Sequence, residues 1–138
     1  MDRVADRLFV GTAADAASLN DDDGVTSVVS LTHDAPTVDS GATVVSVPLV
    51  DGPQCDAPAF GRAVDETRDL LAAGETVLVH CAAGSSRSPS VAATALTLHS
   101  EQGLDAAFEQ VAEARPAVDP HPALVDRAAA AYLDRRSQ

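Results

Sequence analysis

Short runs of apolar, β-branched residues alternate along the chain with longer stretches in which apolar residues recur every three or four positions. The short runs predict strands at 8–10, 25–31, 43–50 and 76–79. The longer stretches predict helices at 13–19, 57–73, 89–100, from 104 to just before Pro116, and from Asp119 onward. Strands and helices in this order predict an α/β fold with a central, mostly parallel sheet flanked by helices on both faces. The length suits one domain spanning 1–138.

The stretch after the strand at 76–79 contains the chemically reactive residues. His80 and Cys81 are followed by a loop of small residues that ends at an arginine: Ala82, Ala83, Gly84, Ser85, Ser86 and Arg87. We predict that Ser88 caps the next helix and that Pro89 opens it, because proline at the first helical position loses no hydrogen bond. Small side chains cannot fill a core. We therefore expect the backbone N–H groups of this loop, curled at a helix N-terminus, to bind a dianion such as phosphate.

Cys81 and Arg87 lie six positions apart around this loop. A thiol attacks only as the thiolate, which a helix N-terminus and a nearby cation stabilise. The planar guanidinium of Arg87 can hold two phosphate oxygens at once. Ser88 can direct its hydroxyl at the sulfur, and Gly84 can adopt the positive φ that a tight loop needs. These residues predict a thiol-based site for phosphate chemistry.

Residues 80–88, His-Cys-Ala-Ala-Gly-Ser-Ser-Arg-Ser, resemble the signature His-Cys, five residues, Arg-Ser/Thr of the cysteine-dependent protein tyrosine phosphatase superfamily, specifically its small dual-specificity branch. The segments at 8–11, 25–31 and 47–51 and the pair Arg115-Pro116 fall in the order usual for that family. The resemblance implies a protein tyrosine phosphatase-like fold. It also implies hydrolysis of phosphotyrosine and phosphoserine or phosphothreonine monoesters in a phosphorylated protein substrate, without a cofactor.

The resemblance implies a role for each residue of the loop. Cys81 attacks phosphorus and forms a cysteinyl-phosphate, while Arg87 and the loop residues 82–86 bind the phosphate. Ser88 assists departure of the thiolate, and His80 supports the site. These roles are expectations carried over from the family onto the matching positions.

Asp51 matches the position of the family's general acid, which sits on a mobile loop and protonates the leaving oxygen. A placed acid of this kind is worth roughly 10²–10⁴-fold in rate. Gly52 and Pro53 suit a loop that swings on a hinge. Asp56, five positions later, is a rival for the same role.

Two further residues leave alternatives open. Cys55 is a passive thiol by default, or it resolves an oxidised Cys81 by forming a disulfide, as a second cysteine does in some relatives. His121 follows Pro120 where relatives commonly have asparagine. It either touches substrate or is an exposed histidine at the start of the last helix.

Functions of other classes fit the same loop less well. A catalytically silent phosphate-binding module gains nothing from a complete set of Cys81, Arg87, Ser88 and Asp51. A rhodanese-like sulfur carrier does not need Asp51, and an arsenate reductase needs a relay of more cysteines than the two present. The low-molecular-weight tyrosine phosphatases have the loop near the N-terminus and the acid downstream, which is the reverse of the order here.

Charge and composition limit the partners. The chain has nine arginines and no lysine against sixteen aspartates and five glutamates, and its net charge is −12. Such a surface repels nucleic acid and anionic membranes, so we expect neither as a partner. No apolar run approaches the ~18–20 residues that span a bilayer, and the first residues lack the apolar stretch of a signal peptide, so we expect neither a membrane span nor a signal peptide. We expect a cytoplasmic monomer. The two cysteines and four histidines lack metal-ligand spacing, so we expect no metal.

The acidic composition resembles that of proteins from salt-accumulating halophiles, in which a Debye length of ~3 Å at 1 M salt screens self-repulsion. The alternative is an acidic protein from a GC-rich genome, which also favours alanine, arginine, glycine and aspartate. We expect a halophilic protein. Three phenylalanines and one tyrosine in the whole chain favour a shallow, weakly selective substrate pocket.

Overall fold

The computed structural model describes residues 1–136, so the last two residues of the predicted domain lie outside it. Within this part, five strands form one sheet in the order β1-β2-β5-β3-β4. The strands are β1 (Asp2–Ala5), β2 (Leu8–Thr12), β3 (Ser27–Ser30), β4 (Thr43–Ser46) and β5 (Val77–Cys81). The helices are α1 (Ala13–Ala17), α2 (Ala57–Ala72), α3 (Arg87–Ser100), α4 (Leu104–Ala114) and α5 (Pro122–Arg135), with a 3-10 turn at Asp21–Asp23.

Strand β5 is the centre of the sheet, paired in parallel with β2 on one side and β3 on the other. All of its residues are buried, as expected of a nearly continuous apolar run that is covered on both faces. Strand β4 extends the sheet beyond β3, again in parallel. The predicted mostly parallel sheet is therefore confirmed.

Strand β1, which pairs antiparallel with β2, was not predicted from the sequence. Its sequence, Asp-Arg-Val-Ala, has one fully buried residue, Val4, and two charged ones, so no alternating pattern marks it as a strand. A tight turn joins it to β2, with Arg7 at a φ of 60°. Because β1 lies at the edge of the sheet, its backbone pairing with β2 defines it more than the burial of its side chains.

Helices flank the sheet on both faces, as predicted, but they do so unequally. Helices α2 to α5 share the main core with the side chains of Val77, Val79 and Cys81. The other face bears α1 and a smaller cluster that includes Val28 and Leu78. Successive residues of a strand point to opposite faces. The Cys81 side chain therefore lies on the face covered by α2 to α5.

The strand predicted for 43–50 is shorter and more exposed than expected. Strand β4 ends at Ser46, and three of its four residues are exposed because it is an edge strand. The chain nevertheless stays extended, since the Val47 N–H donates to the Ser30 carbonyl (2.9 Å) and the Leu49 N–H to the Leu31 carbonyl (3.0 Å). This extension leads directly to residue 51.

The predicted start of α3 is wrong. The helix begins at Arg87 with Ser86 as its N-cap, not at Pro89 with Ser88 as the cap. Pro89 still falls in the first turn, where its missing N–H has no intrahelical partner to lose. The hydroxyl of Ser88 contacts the sulfur of Cys81 instead of capping the backbone. Sequence signals for a cap could not distinguish these two uses of a serine hydroxyl.

Candidate active site

Cys81 is the last residue of β5, and its side chain is buried with 2% exposure. Its sulfur lies 3.1 Å from the hydroxyl oxygen of Ser88, and the Ser88 N–H is directed at the same sulfur from 3.4 Å. Ser88 belongs to the first turn of α3. Two donors at the positive end of a helix can stabilise negative charge on the sulfur. The structure thus brings together the two residues that the sequence paired.

The carbonyl groups of the loop at 82–86 point away from its centre and accept hydrogen bonds from residues outside the loop. The carbonyls of residues 82–85 accept hydrogen bonds, in order, from the Ala13 N–H (3.4 Å), Arg115 Nη2 (3.1 Å), Arg115 Nε (2.8 Å) and the Asp119 N–H (2.7 Å). In a trans peptide the carbonyl and the following N–H point in opposite directions. The N–H groups of residues 83–86 therefore face the inside of the loop. This concave set of donors suits a dianion.

Gly84 has the positive φ that the sequence predicted, at 66°. A side chain at this position would also collide with its surroundings, because a Cβ atom would lie 2.8 Å from the Gly11 carbonyl oxygen and 2.6 Å from Arg115 Nη2. The end of β2 and the Arg115 side chain thus pack directly against the loop. Only glycine satisfies both the backbone conformation and this close approach.

Arg115 contacts the loop around Cys81, a position that its sequence surroundings did not predict. Its guanidinium donates to the carbonyls of Ala83 and Gly84 and forms an ion pair with Asp2 (2.9 Å). It follows directly after α4, and the partners in the loop are about thirty positions earlier in the chain. No local pattern marks it, so only the folded arrangement reveals that it orients the loop.

Arg87 is the first residue of α3, at the end of the loop. Its Nη1 donates to the carbonyl of Leu49 at 3.0 Å, and the side chain is half-buried. Leu49 lies two residues before Asp51. Arg87 therefore connects the loop around Cys81 with the segment that carries the predicted acid.

The structure places Asp51 beside the loop and Asp56 at a helix start. Asp51 Oδ1 accepts a hydrogen bond of 2.6 Å from the hydroxyl of Ser86. The carboxylate of Asp56 accepts from the Ala59 N–H at 3.0 Å and caps α2. The geometry therefore favours Asp51 over its rival as the acid. Gly52, next to it, has a φ of 120°, as a sharply turning loop requires.

The loop that follows Asp51 is held by α5. Arg127 donates from Nε to the carbonyl of Cys55 (2.8 Å) and from Nη2 to the carbonyl of Pro53 (3.0 Å). Cys55 is buried and free. Burial raises the pKa of its thiol, against an opposing effect of the Arg127 charge. The thiol is therefore protonated at neutral pH, and its exchange with Cys81 stays a prediction.

His121 is the N-cap of α5 and is half-buried. Its Nδ1 accepts from the Ala123 N–H at 3.0 Å, and its own backbone N–H donates to the hydroxyl of Ser86 at 2.9 Å. The residue thus reaches the loop around Cys81 through its backbone, while its ring caps a helix.

His80 lies on the face of the sheet opposite Cys81, because the two are consecutive in β5. The ring is fully buried, with Nδ1 3.4 Å from the Cys81 carbonyl. Nε2 has no hydrogen-bond partner among the described residues. Burial lowers the pKa of His80; the Cys81 carbonyl opposes this shift and the Arg87 charge adds to it. At neutral pH this lowered pKa favours the uncharged imidazole.

Residues 1–136 contain neither a metal-binding cluster nor a membrane-spanning helix. No group of three or more histidine, cysteine, aspartate or glutamate side chains in this range could hold a metal ion. No helix there is long and apolar enough to cross a membrane.

Comparison with known proteins identifies the family. The family model for the dual specificity phosphatase catalytic domain matches residues 8–128. Mouse dual specificity phosphatase 28 is 34% identical over 127 residues, which cover 86% of this chain and 76% of the relative. Human dual specificity protein phosphatase 1 is 30% identical over 118 residues, covering 83% of this chain and 32% of that longer protein. The chain belongs to the dual specificity phosphatases.

Solved structures agree with this assignment. The crystal structure of human DUSP28 superposes with a TM-score of 0.89 at 29% identity, covering 100% of this chain and 99% of that one. A mouse putative dual specificity phosphatase, solved in complex with zinc tungstate, superposes with a TM-score of 0.89 at 28% identity, covering 99% of this chain and 89% of that one. The predicted protein tyrosine phosphatase-like fold is confirmed.

Family membership makes this chain a protein phosphatase, a hydrolase of phosphoric monoesters whose substrates are phosphoproteins. The alternatives considered from the sequence are not favoured. The matching family model is that of a phosphatase catalytic domain, which is neither a rhodanese-like nor an arsenate reductase-like enzyme.

Proposed function

We propose that this chain dephosphorylates proteins in two steps through a cysteinyl-phosphate formed on Cys81. The observation that carries the proposal is the geometry of the loop at 82–86. Its carbonyls accept hydrogen bonds from residues outside the loop, so its N–H groups point toward the concave inner side. Such donors hold the equatorial oxygens of a phosphoryl group while a nucleophile attacks phosphorus in line. The buried sulfur at the end of β5 supplies that nucleophile.

In the first step the Cys81 thiolate attacks phosphorus, so that an S–P bond forms and the P–O bond to the substrate breaks. The leaving oxygen takes a proton from Asp51, which the Ser86 hydroxyl holds beside the loop. The Arg87 guanidinium, at the start of α3, stabilises the charge on the transferring phosphoryl oxygens. The products of this step are the dephosphorylated side chain and the phosphoenzyme.

In the second step water attacks the phosphoenzyme and Asp51, now a carboxylate, accepts its proton. The S–P bond breaks and the thiolate leaves. The hydroxyl of Ser88, 3.1 Å from the sulfur, donates to the departing thiolate and makes it a better leaving group. Inorganic phosphate is released and the enzyme returns to its starting state.

The substrates we propose are phosphotyrosine together with phosphoserine and phosphothreonine in proteins. The side chains around the loop support this breadth, since Ala82 and Ala83 are small and exposed. Small exposed residues in the loop itself favour a shallow pocket, which would admit short as well as long phosphorylated side chains. Matched phosphotyrosine and phosphothreonine peptides test the proposal, and turnover of one class alone would contradict it.

Hydrolysis of p-nitrophenyl phosphate tests the mechanism directly. Cys81→Ser should abolish turnover while tungstate or phosphate still binds, because the loop N–H groups remain. Cys55→Ser is the matched control and should keep its activity, since that buried thiol lies outside the loop. Retention of even about a tenth of the wild-type rate by Cys81→Ser would rule out thiolate catalysis.

We also propose that the protein works as a monomer in a cytoplasm rich in salt. A net charge of −12 with no lysine supports adaptation to salt, and the same charge disfavours nucleic acid or anionic membranes as partners. Both cysteines are free, and thiols are kept reduced in the cytoplasm, which supports that location. Size-exclusion chromatography with light scattering, in molar KCl, tests the oligomeric state.

A further inference from the structure

The hydroxyl of Ser86 lies where three separate segments meet. Ser86 itself is the last residue of the loop around Cys81, and its side chain is buried. Its oxygen is 2.6 Å from Asp51 Oδ1, on the loop after β4, and 2.9 Å from the backbone N–H of His121, at the start of α5. The side chain thus links the phosphate-binding loop, the acid and α5.

The direction of these hydrogen bonds follows from their chemistry. A backbone N–H can only donate, so the Ser86 oxygen accepts from His121. A serine hydroxyl has a single proton, and Asp51 Oδ1 can accept it whether the carboxyl is ionised or carries its proton on Oδ2. The proton of Ser86 therefore points at Asp51 Oδ1. The other carboxyl oxygen, Oδ2, makes no hydrogen bond to another residue of the described part of the chain.

A second observation shows that the position of this hydroxyl is not explained by the helix. Ser86 is the N-cap of α3, where a serine side chain normally accepts from a backbone N–H of the first turn. Here the side chain makes no capping hydrogen bond. The helix gives up this common stabilising contact, and the hydroxyl is directed at the acid instead.

We propose that the Ser86 side chain is a positioning residue for the general acid. It holds Oδ1 of Asp51 so that Oδ2, which carries the transferable proton, faces the leaving oxygen of the substrate. This role rests on the proposed function, in which Asp51 is the acid. It is separate from phosphate binding, because that uses the backbone N–H groups of the loop and the Arg87 side chain.

The role has a consequence that depends on the leaving group. An activated ester such as 2,4-dinitrophenyl phosphate departs without a proton, whereas phenyl phosphate needs one. Ser86→Ala should lower kcat/KM for phenyl phosphate by roughly ten- to a hundredfold, the loss expected when a catalytic group is displaced by about 1 Å. For 2,4-dinitrophenyl phosphate the loss should stay within about twofold, and so should the change in the inhibition constant of inorganic phosphate.

Ser86→Thr is the conservative control, because it keeps the hydroxyl and should restore most of the activity on phenyl phosphate. Equal losses on both substrates, or a phosphate inhibition constant that rises in parallel, would overturn the proposal and make Ser86 a structural residue of the loop. Melting curves of both variants verify that each is folded before its rates are compared.

The double variant Ser86→Ala/Asp51→Asn separates this proposal from the proposed function. If Ser86 acts through Asp51, the double variant should be no slower on phenyl phosphate than Asp51→Asn alone. If the rate losses of the two single variants multiply in the double variant, Ser86 acts independently of Asp51. That result would overturn the inference but would leave the cysteine mechanism unaffected. If Asp51→Asn lacks any leaving-group dependence, the acid assignment fails. Absence of turnover by the wild-type protein overturns the proposed function itself.

Discussion

The hydroxyl of Ser88 lies 3.1 Å from the sulfur of Cys81, and the two residues come from different elements, the first turn of α3 and the last position of β5. The Ser88 N–H is directed at the same sulfur. A hydroxyl donates most strongly to a sulfur that carries negative charge. This contact therefore matters most when the thiolate leaves phosphorus in the second chemical step.

Ser88→Ala should slow hydrolysis of the phosphoenzyme more than its formation. We expect the second step to slow by roughly tenfold or more, the effect of a lost hydrogen bond to a charged group. Rapid mixing with p-nitrophenyl phosphate should then show a burst of nitrophenol close to one equivalent per enzyme. Thr94→Val, which removes a buried hydroxyl further along α3, should show no burst. A Ser88→Ala variant that slows without a burst would place the role of Ser88 in the first step.

Asp51→Asn should slow substrates with poor leaving groups by roughly 10²–10⁴-fold, which is the contribution of a placed general acid. Activated esters should lose little, and the alkaline limb of the pH profile should flatten. Asp56→Asn is the matched control. Asparagine caps a helix about as well as aspartate, so α2 should be unaffected. If Asp56→Asn shows the leaving-group dependence and Asp51→Asn does not, the acid is Asp56.

Arg115→Lys should weaken phosphate binding without touching the nucleophile. A lysine cannot reproduce the fork that holds the Ala83 and Gly84 carbonyls, so the loop N–H groups lose their fixed direction. We expect a severalfold increase in the inhibition constant of phosphate and a loss of about 1–3 kcal/mol in unfolding free energy. Asp2→Asn removes the ion pair but leaves both carbonyl contacts, so it should have a smaller effect. Equal effects of the two variants would assign the role of Arg115 to its ion pair.

His80 should make stability depend on pH. Because burial lowers the pKa of His80 below its ordinary value of 6.5, the unfolded chain binds this proton more readily than the folded one. The stability contributed by neutral His80 is complete above about pH 6.5 and is lost as the pH falls toward the lowered pKa of the folded state. The melting temperature of His80→Leu should therefore fall less between pH 7.5 and 5.5 than that of the wild-type protein.

His99→Gln, at an exposed position near the end of α3, is the control for the other histidines and should follow the wild-type protein. All three proteins are compared at the same salt concentration, because protonation of surface carboxylates also changes stability. Parallel curves for His80→Leu and the wild-type protein would show that His80 is not the group responsible.

Molar KCl should raise the melting temperature and the activity. The net charge of −12 produces self-repulsion in dilute buffer, and a Debye length of ~3 Å at 1 M screens it. A non-ionic osmolyte at matched osmolality separates screening from general exclusion effects. A midpoint that stays flat or falls as KCl increases would leave base composition as the reason for the acidic sequence.

The sequence by itself determined the centre of the fold and its chemistry. The apolar run of β5 predicts a buried strand. Cys81, Gly84 and Arg87 mark the site because their spacing within one short loop is visible in consecutive residues. The positive φ of Gly84 is a property of a few consecutive residues. Contacts of this short range leave a pattern in the sequence, so they can be predicted from it.

Tertiary structure alone decided the contacts that tune the site. The partners of Ser86 lie 35 positions away in both directions along the chain, at Asp51 and His121. Arg115 reaches a loop 31 positions earlier. Ser86 and Ser88 are both plausible caps by sequence, but the position of Cys81 and Asp51 decides where each hydroxyl points. A polar side chain can form hydrogen bonds of similar free energy with many acceptors, and only the packing of the folded chain determines which acceptor lies within reach.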